Sequence, residues 1–443
     1  MMRTLTRRSF ARTMAAGVSA IATAPWLRSA PAKPNIVFLL SDDVGIDLMG
    51  CYGSDRFKTP NIDALASTGI RFETCYSTPL CGPTRCQFNT GRYPFRTGGL
   101  TNRSWAAQGG MGPKAAAEFP IARLLKQAGY ATCSSGKWRQ IEQTPGDWGY
   151  DEWLTDPAAG GWYWQKSYTR NGKLVESDKE MYCPEVAHEF AMDFMRRNRK
   201  GPFFLYYPTH LVHGPILRTP DSAADSKDLY ADNVAYLDKL VGKVVKEIDS
   251  LGIRENTVIF FSGDNGTAKQ SGNVHGRQIN GAKGSMWEGG SRVPLIANWK
   301  GTSPRNKVLP DMVDFTDFYA TFAELAGAAP PSGMTFDGHS LVPQLRGQKG
   351  NPREWIYVQL GKNWYVREKS WKMNEASELF DMKDAPFVEK PVSSGSDTAD
   401  SAAARKRLAG VLATLNPAGG KVETFREDRT ARTGRRKNRK KKN

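Results

Sequence analysis

The chain has 443 residues, of which 40% are hydrophobic and 24% are charged, a composition typical of globular proteins. No stretch approaches the roughly 18 uninterrupted apolar residues of a membrane-spanning helix, and collagen and coiled-coil repeats are excluded as well. The net charge of +17 comes mostly from the ends: residues 1–33 carry six basic and no acidic residues, and residues 426–443 carry ten basic and two acidic ones. The part between them is nearly neutral, so composition predicts no nucleic-acid partner and no transmembrane segment.

Residues 1–32 have the pattern of a twin-arginine export signal. Arg7-Arg8 precedes a weakly apolar run over 15–24, and Ala30-Pro31-Ala32 suits a cleavage site. We therefore expect a bacterial protein that the twin-arginine translocase delivers, already folded, to the periplasm or the medium. A disordered basic leader is the alternative. The basic stretch 425–443 is a low-complexity tail that we expect to be disordered, with attachment to a polyanion as its functional alternative.

Short β-branched and aromatic runs alternate with helical patterns between these ends. The alternation predicts an α/β fold over residues 33–330, with a large, mostly parallel sheet sandwiched by helices. A smaller C-terminal α+β subdomain with a short antiparallel sheet is predicted over 331–424. The predicted strands of the first domain are Asn35–Ser41, 130–136, 203–209 and Thr257–Gly263, and its predicted helices include one after Thr59, Ile121–Gln127 and 229–251. The subdomain is predicted to contain a strand at 355–359, a hairpin at 364–373 and a helix at 402–415.

Polar side chains stand directly after each of the four predicted strands. Ligands of open α/β sheets bind outside the carboxyl ends of the strands, so these side chains should converge on one crevice. The residue pairs after the first and fourth strands offer oxygen ligands with neither His nor Cys beside them. Such ligands favour Ca²⁺, or Mg²⁺ as the alternative, over zinc. Helix capping or turn formation is the structural interpretation of the same acids. The residues are Asp42 and Asp43 after the first strand, Lys137 after the second, His210 and His213 after the third, and Asp264 and Asn265 after the fourth.

The segment Cys81-Gly82-Pro83-Thr84-Arg85 opens a predicted helix that runs toward Thr90. Cys81 then stands at the helix N-terminus, where backbone N–H groups and the dipole favour an anion, so we expect an anionic substrate beside it. The segment resembles the signature of the type I sulfatases, C-x-P-S/T-R followed by T-G-R, here Thr90-Gly91-Arg92. Further segments resemble the same family, in the family's order: PNIVFLLSDD, TPNIDALASTGIRF, GYATCSSGKW, PFFLYYPTHLVHGP, VIFFSGDNG and NGAKGSMWEGGSRVPLI.

The resemblance implies an alkaline phosphatase-like fold and the hydrolysis of sulfate esters. It implies that a formylglycine-generating enzyme oxidises Cys81 to formylglycine, whose hydrate supplies the hydroxyl that attacks sulfur. It also implies a divalent cation, expected to be Ca²⁺ or Mg²⁺, that contacts this hydroxyl and the sulfate. The implied metal ligands are Asp42, Asp43, Asp264, Asn265 and the modified residue 81.

The other roles that the resemblance implies concern charge and protons. Arg85 would assist the formylglycine, and Lys137 and Lys283 would hold sulfate oxygens as negative charge shifts during transfer. His213, in the family's His-x-Pro setting, would protonate the leaving alcohol. Together with Cys81, these four residues form the expected catalytic set.

One position departs from the family pattern. The family commonly has a histidine two residues after the lysine of Gly-Lys-Trp, whereas this chain has Arg139. Because arginine cannot act as a base near neutral pH, Arg139 is expected to bind an anionic oxygen or a second acidic group of the substrate. Alternatively, His210 takes the role of the family histidine, which is to help release sulfate in the second step. Trp162 and Trp164, in a Gly-rich insertion, are candidates for stacking on sugar rings, with packing as the alternative.

The sequence therefore predicts an exported sulfatase that acts on a sulfated small molecule or glycan, the carbohydrate being favoured. Two alternatives stay open. A formylglycine with one hard cation also suits a phosphonate or phosphate ester hydrolase of the same superfamily. Arg139 and the basic tail are compatible with a catalytically silent polyanion-binding homologue.

Overall fold

Ten strands form one large sheet that is parallel in its middle and contains antiparallel pairs on both flanks, with a further parallel pair, β10 and β2, at one end. The computed structural model describes residues 33–104, 112–138, 141, 143–156, 163–269 and 272–421. The strands are β1 (Asn35–Ser41), β2 (Ile70–Tyr76), β3 (Ala131–Ser135), β4 (Glu152–Thr155), β5 (Trp164–Arg170), β6 (Lys173–Tyr182), β7 (Phe203–Pro208), β8 (Thr257–Gly263), β9 (Arg292–Trp299) and β10 (Lys307–Asp314). Their spatial order is β10-β2-β9-β8-β1-β7-β3-β4-β5-β6, and the strands from β8 to β4 are parallel to one another.

The middle strands are buried along their whole length, as their apolar runs predict. Every residue of β1, β7 and β8 is buried, and β1 and β8 have the predicted bounds. Strand β3 stops before Gly136, which has a φ of 128° and lies so close to β7 that a Cβ there would be 2.1 Å from the Pro208 carbonyl oxygen. The mostly parallel sheet is therefore confirmed, with β9, β5 and β6 adding antiparallel pairs at the flanks.

Helices cover both faces of this sheet. Successive side chains of a strand point to opposite faces, and accordingly Val37 and Leu39 of β1 enter a different apolar cluster from Phe38 and Leu40. The helices are α1 (Pro60–Ser67), α2 (Cys81–Thr90), α3 (Pro94–Thr97), α4 (Ile121–Gln127), α5 (Cys183–Asn198), α6 (Leu229–Ser250), α7 (Glu288–Ser291), α8 (Asp317–Ala326) and α9 (Val342–Leu345). The first cluster includes residues of α1, α5 and α6, and the second includes residues of α2, α4 and α8. Among the described residues, no helix combines the length and apolar character required to cross a bilayer.

A second, five-stranded antiparallel sheet follows, as predicted for the C-terminal part. Its strands are β11 (Ile356–Leu360), β12 (Asn363–Arg367), β13 (Trp371–Asn374), β14 (Leu379–Asp381) and β15 (Lys390–Val392), in that spatial order. The last helix, α10 (Ala399–Leu415), packs on this sheet through Ala404 and Leu408. It begins three residues before the predicted start because Thr398 and Ser401 form a reciprocal capping box. The division at 330/331 stays a prediction.

A buried arginine joins the segment before the second sheet to the first sheet. Arg353 Nε lies 2.8 Å from both carboxylate oxygens of Asp317 at the start of α8. The same guanidinium donates to Thr316 Oγ1 at 2.8 Å and to the Tyr93 hydroxyl at 3.2 Å. Because the pair is buried, loss of one partner would leave an uncompensated charge in the interior.

We predict that Arg353→Ala lowers the free energy of unfolding by about 3–5 kcal/mol, because Asp317 would remain buried without its cation. The control is Arg407→Ala, which breaks an ion pair with Glu368 whose arginine side chain is 56% exposed. Exposed pairs contribute only about 0–1 kcal/mol. Urea denaturation of both variants measures the difference, and similar losses in the two would contradict the prediction.

Candidate active site

The polar residues that follow the parallel strands meet at the carboxyl edge of the sheet. The loops that carry them bond directly to one another: Asp42 N–H donates to the Leu211 carbonyl, and Asp264 N–H donates to the Ser41 carbonyl, each at 2.9 Å. Asp43 has a φ of 59°, in the left-handed region, and its N–H donates to Asp264 Oδ1 at 3.1 Å. The convergence that the strand ends predict is therefore present in the structure.

Three carboxylates and one amide form a buried cluster at the base of this crevice. Asp42, Asp264 and Asn265 have no exposed surface, and Asp43 is 1% exposed. Ligand atoms of Asp42, Cys81 and Asp264 lie within 4.8 Å of one another. Asp42 Oδ1 and Asn265 Oδ1 have no hydrogen-bond partner among the described residues, although both are buried. Two orphaned oxygens in an oxygen-rich cluster fit a hard divalent cation, which would satisfy both of them.

Three basic side chains balance the carboxylates. Arg85 donates from Nε and Nη2 to Asp264 Oδ2, at 3.0 and 2.7 Å. Lys137 contacts Asp42, and Lys283 contacts Asp43. Burial by itself would raise the pKa of the Asp42 carboxyl, but Lys137 and the other nearby cations outweigh it and the pKa lies below its ordinary value.

Cys81 is the first residue of α2, and the whole of this helix is buried. Burial raises the pKa of the Cys81 thiol, and the lowering effect of Lys137 does not offset it. The unmodified side chain is therefore a neutral thiol and a weak nucleophile at neutral pH. Residue 81 therefore lies at a helix N-terminus beside the carboxylate oxygens of Asp42 and Asp264.

Asn102 also contacts Cys81, and no motif of the sequence identifies it. Its Oδ1 accepts from the Gly82 N–H at 2.9 Å, and its Nδ2 lies 3.5 Å from Cys81 Sγ. The contact satisfies one of the N–H groups that the first turn of a helix leaves without an intrahelical partner. Asn102 therefore fixes the start of α2 from a separate segment of the chain.

The two histidines after β7 have different surroundings. His213 Nε2 lies 3.9 Å from Asp43 Oδ2, and its side chain is 23% exposed, so it borders both the acidic cluster and solvent. His210 is buried, with Nε2 3.4 Å from Asp156 Oδ1. Burial lowers the pKa of His210 despite the opposing effect of Asp156. The Tyr163 hydroxyl donates to the backbone carbonyls of both histidines, at 3.1 and 2.6 Å.

The structure does not bring every predicted residue into the crevice. Arg139 and Trp162 lie outside the described residues. Trp164 begins β5, where its indole N–H donates to the Arg218 carbonyl at 2.8 Å and its ring lies 5.1 Å from that of Tyr182. These contacts are the packing expected for Trp164 by the alternative interpretation, and its role toward a sugar stays a prediction.

Comparison with known proteins identifies the family. The sequence matches the family model described as Sulfatase over residues 34–328, a range that contains all the crevice residues. The chain belongs to the sulfatase family. This sulfatase is 33% identical over 360 residues to N-acetylgalactosamine-6-sulfatase from Canis lupus familiaris, covering 74% of this chain and 69% of that protein. It is 29% identical over 452 residues to Arylsulfatase D from Homo sapiens, covering 79% of this chain and 76% of that protein.

A solved structure agrees with this assignment. The complex of Ps i-CgsB with k-i-k-neocarrahexaose superposes on the sulfatase with a TM-score of 0.75 at 26% identity, over 91% of this chain and 97% of that one. The predicted family and alkaline phosphatase-like fold are therefore confirmed, and the sulfatase is a sulfuric ester hydrolase with relatives among the carbohydrate sulfatases.

We predict that Asn102→Ala lowers kcat/KM for an aryl sulfate about tenfold, because the Gly82 N–H loses its acceptor and the start of α2 is no longer fixed. The control is Asn233→Ala, which removes an asparagine of α6 that donates to the backbone carbonyls of Leu217 and Leu229. Steady-state kinetics and thermal unfolding of both variants separate the effects. An equal loss of activity in the two variants would show that Asn102 acts only through stability.

Proposed function

We propose that the sulfatase hydrolyses sulfate esters of a sulfated carbohydrate, using formylglycine formed from Cys81 and a bound divalent cation. The observation that carries the proposal is the position of Cys81, at the start of the buried helix α2, with its Sγ within 4.8 Å of carboxylate oxygens of Asp42 and Asp264. The names of the relatives, an N-acetylgalactosamine-6-sulfatase and a protein solved in complex with k-i-k-neocarrahexaose, support a carbohydrate substrate.

The cation proposed is Ca²⁺, with Mg²⁺ as the alternative. Asp42, Asp43, Asp264 and Asn265 offer only oxygen atoms, and two of those oxygens lack partners among the described residues. When bound, such a cation favours the ionised form of the formylglycine hydrate hydroxyl, which is the attacking group in the family's chemistry. Holding the cation is therefore the role proposed for these four residues.

The basic residues are proposed to bind the sulfate group. Lys137 follows β3 and Lys283 lies in the loop before α7, and each contacts one carboxylate of the cluster. Their ammonium groups would hold two sulfate oxygens as negative charge shifts during transfer. Arg85 is fixed by Asp264 and by the Lys137 carbonyl, so its proposed role is to orient residue 81.

His213 is proposed to protonate the leaving alcohol. Its Nδ1 lies 2.5 Å from the Gly214 carbonyl oxygen, which orients the ring, while Nε2 lies 3.9 Å from Asp43. Partial exposure leaves the ring accessible to the leaving group at the mouth of the crevice. His210 is buried and contacts Asp156, so we propose that it positions the surrounding loops for sulfate release and does not itself touch the substrate. Arg139 is proposed to bind an anionic group of the substrate.

Export and modification complete the proposal. The twin-arginine pattern of residues 1–32 lies outside the described residues, and we propose it as the signal recognised by the twin-arginine translocase. Because that route carries folded proteins, the formylglycine-generating enzyme would act before export. The mature protein would then work in the periplasm or the medium.

We predict that Cys81→Ser abolishes aryl sulfate hydrolysis in protein from the native host, because serine in place of Cys81 removes the substrate of the modifying enzyme. Intact-peptide mass spectrometry of the wild type should show formylglycine at residue 81. The control is Cys86→Ser, the same atom change on the same helix, where Sγ lies 3.7 Å from Thr97 Oγ1. This variant should keep wild-type kcat.

Three results would contradict this account, each in its own way. Activity of Cys81→Ser within tenfold of wild type would exclude formylglycine as the nucleophile. An unmodified thiol with no activity on any ester would support the silent polyanion-binding alternative. Faster hydrolysis of an aryl phosphonate monoester than of the matching sulfate would support the phosphonate hydrolase alternative.

We predict that chelation abolishes activity and that Ca²⁺ or Mg²⁺, but not Zn²⁺, restores it, because the ligand set contains only oxygens. Asp264→Asn should weaken Ca²⁺ binding at least about tenfold, measured by titration calorimetry, because a carboxylate charge is lost. The control Asp238→Asn removes a buried carboxylate that accepts from backbone N–H groups of α1 and should leave Ca²⁺ affinity unchanged. Equal Ca²⁺ affinities in the two variants would refute the assigned ligand set.

A further inference from the structure

A cavity with several charged side chains in its lining lies at the amino ends of the parallel strands, the opposite ends from the crevice. Its volume is about 720 Å³, and its walls are α1, α6, the turn before β8 and the loop after β9. The turn contributes Arg254, three residues before β8 begins, whereas Asp264 stands directly after β8 ends. The length of β8, about 23 Å at 3.3 Å per residue, separates the two sites.

Arg254 is the main feature of this cavity. The residue is only 7% exposed, and its Nη2 donates to Asn298. Its Nη1 has no hydrogen-bond partner among the described residues, and Asp249, with which Arg254 forms an ion pair, is 4.0 Å from Nε and half exposed. Burial lowers the pKa of Arg254 from its ordinary value. A buried guanidinium with an unused N–H edge is poorly compensated by the protein alone.

Other groups around the cavity favour the same kind of ligand. Ser303 also lines it, and its buried hydroxyl has no partner among the described residues. Lys246, Lys300 and Arg305 stand at its exposed rim, and none of the three forms an ion pair with a described residue. With Asp249 and Glu255 as the acidic members, the lining carries four basic and two acidic side chains.

We propose that this cavity binds a sulfate group of a sulfated saccharide, with Arg254 and Ser303 as its buried hydrogen-bond donors. The oxyanion would accept from the Arg254 guanidinium, which forms short charge-assisted bonds with such groups. The cavity volume lies in the range of small-molecule ligand sites, about 300–1,000 Å³, which leaves room for a sugar unit beside the sulfate group. The choice of a sulfated saccharide rests on the proposed function, whereas the oxyanion site rests on the cavity itself.

The consequence is a non-catalytic anchor for a polymeric substrate. A chain with many sulfate groups would bind at the cavity and at the crevice, and holding it at one site raises its local concentration at the other. A small aryl sulfate has one sulfate and gains nothing from the second site. The anchor therefore affects the apparent KM for a polymer and leaves turnover of a small ester unchanged.

Calorimetric titration of the full-length Cys81→Ser protein tests the proposal without turnover. The probes are a short sulfated dextran, neutral dextran of equal length and inorganic sulfate. We expect Arg254→Gln and Lys300→Ala/Arg305→Ala each to weaken binding of the sulfated dextran about tenfold, the loss of one charge-assisted interaction. Lys173→Ala/Lys179→Ala, which removes two exposed charges from β6 outside the cavity, is the matched control and should change affinity less than twofold. Neutral dextran should not bind.

The double variant Lys300→Ala/Arg305→Ala, called the rim variant, tests the proposal even if Arg254→Gln does not fold. Equal affinities of the rim variant and the β6 control would overturn the proposal. Millimolar inorganic sulfate should displace the sulfated dextran from the wild-type cavity. If this competition is absent in the rim variant, the proposal is supported. Binding of inorganic sulfate there without any binding of the sulfated dextran would overturn the saccharide assignment. Failure of the proposed function is distinguished by a separate measurement: the wild-type protein would not hydrolyse aryl sulfate, although the titrations still show binding of the sulfated dextran at the cavity.

Discussion

The burial of charge at the carboxyl edge of the parallel strands is the constraint on which the rest of the structure depends. An isolated buried carboxylate is strongly unfavourable, and three of them at one site require cations supplied from elsewhere in the chain. Each pair accordingly joins different elements: Arg85 of α2 meets Asp264 after β8, and Lys137 after β3 contacts Asp42 after β1. These ion pairs hold the loops together, and the divalent cation and anionic substrate proposed above would extend the same charge balance.

The position of Cys81 depends on the apolar core as much as on these charges. Phe88, on the same helix, lies with its ring 4.6 Å from that of Phe38 in β1 and 4.9 Å from that of Tyr206 in β7. Packing between these aromatic rings fixes α2 on the middle of the sheet. The start of the helix is then held at the strand ends by Asn102, so residue 81 meets the acidic cluster without a flexible connection.

Basic side chains have different partners at the two ends of the parallel strands. In the crevice, Arg85, Lys137 and Lys283 all contact carboxylates. At the opposite ends, Arg254 is buried with an unused N–H edge, and the carboxylate of its ion pair is half exposed. The first arrangement suits a site where charge must move during a reaction, because the cations are already oriented. The second suits simple retention of an anion.

The sequence by itself determined the four central parallel strands β1, β3, β7 and β8, the helix that begins at Cys81, the family, and the crevice residues that follow these strands. These follow from local patterns and from one topological rule, that parallel strands end at a common edge. Tertiary structure alone decided the antiparallel flanks, the contact of Asn102 with Gly82, and the pairing of Lys283 with Asp43, which are 240 positions apart. It also decided the cavity at Arg254. Such contacts join segments that no local pattern relates, since they arise only when the sheet brings distant loops together.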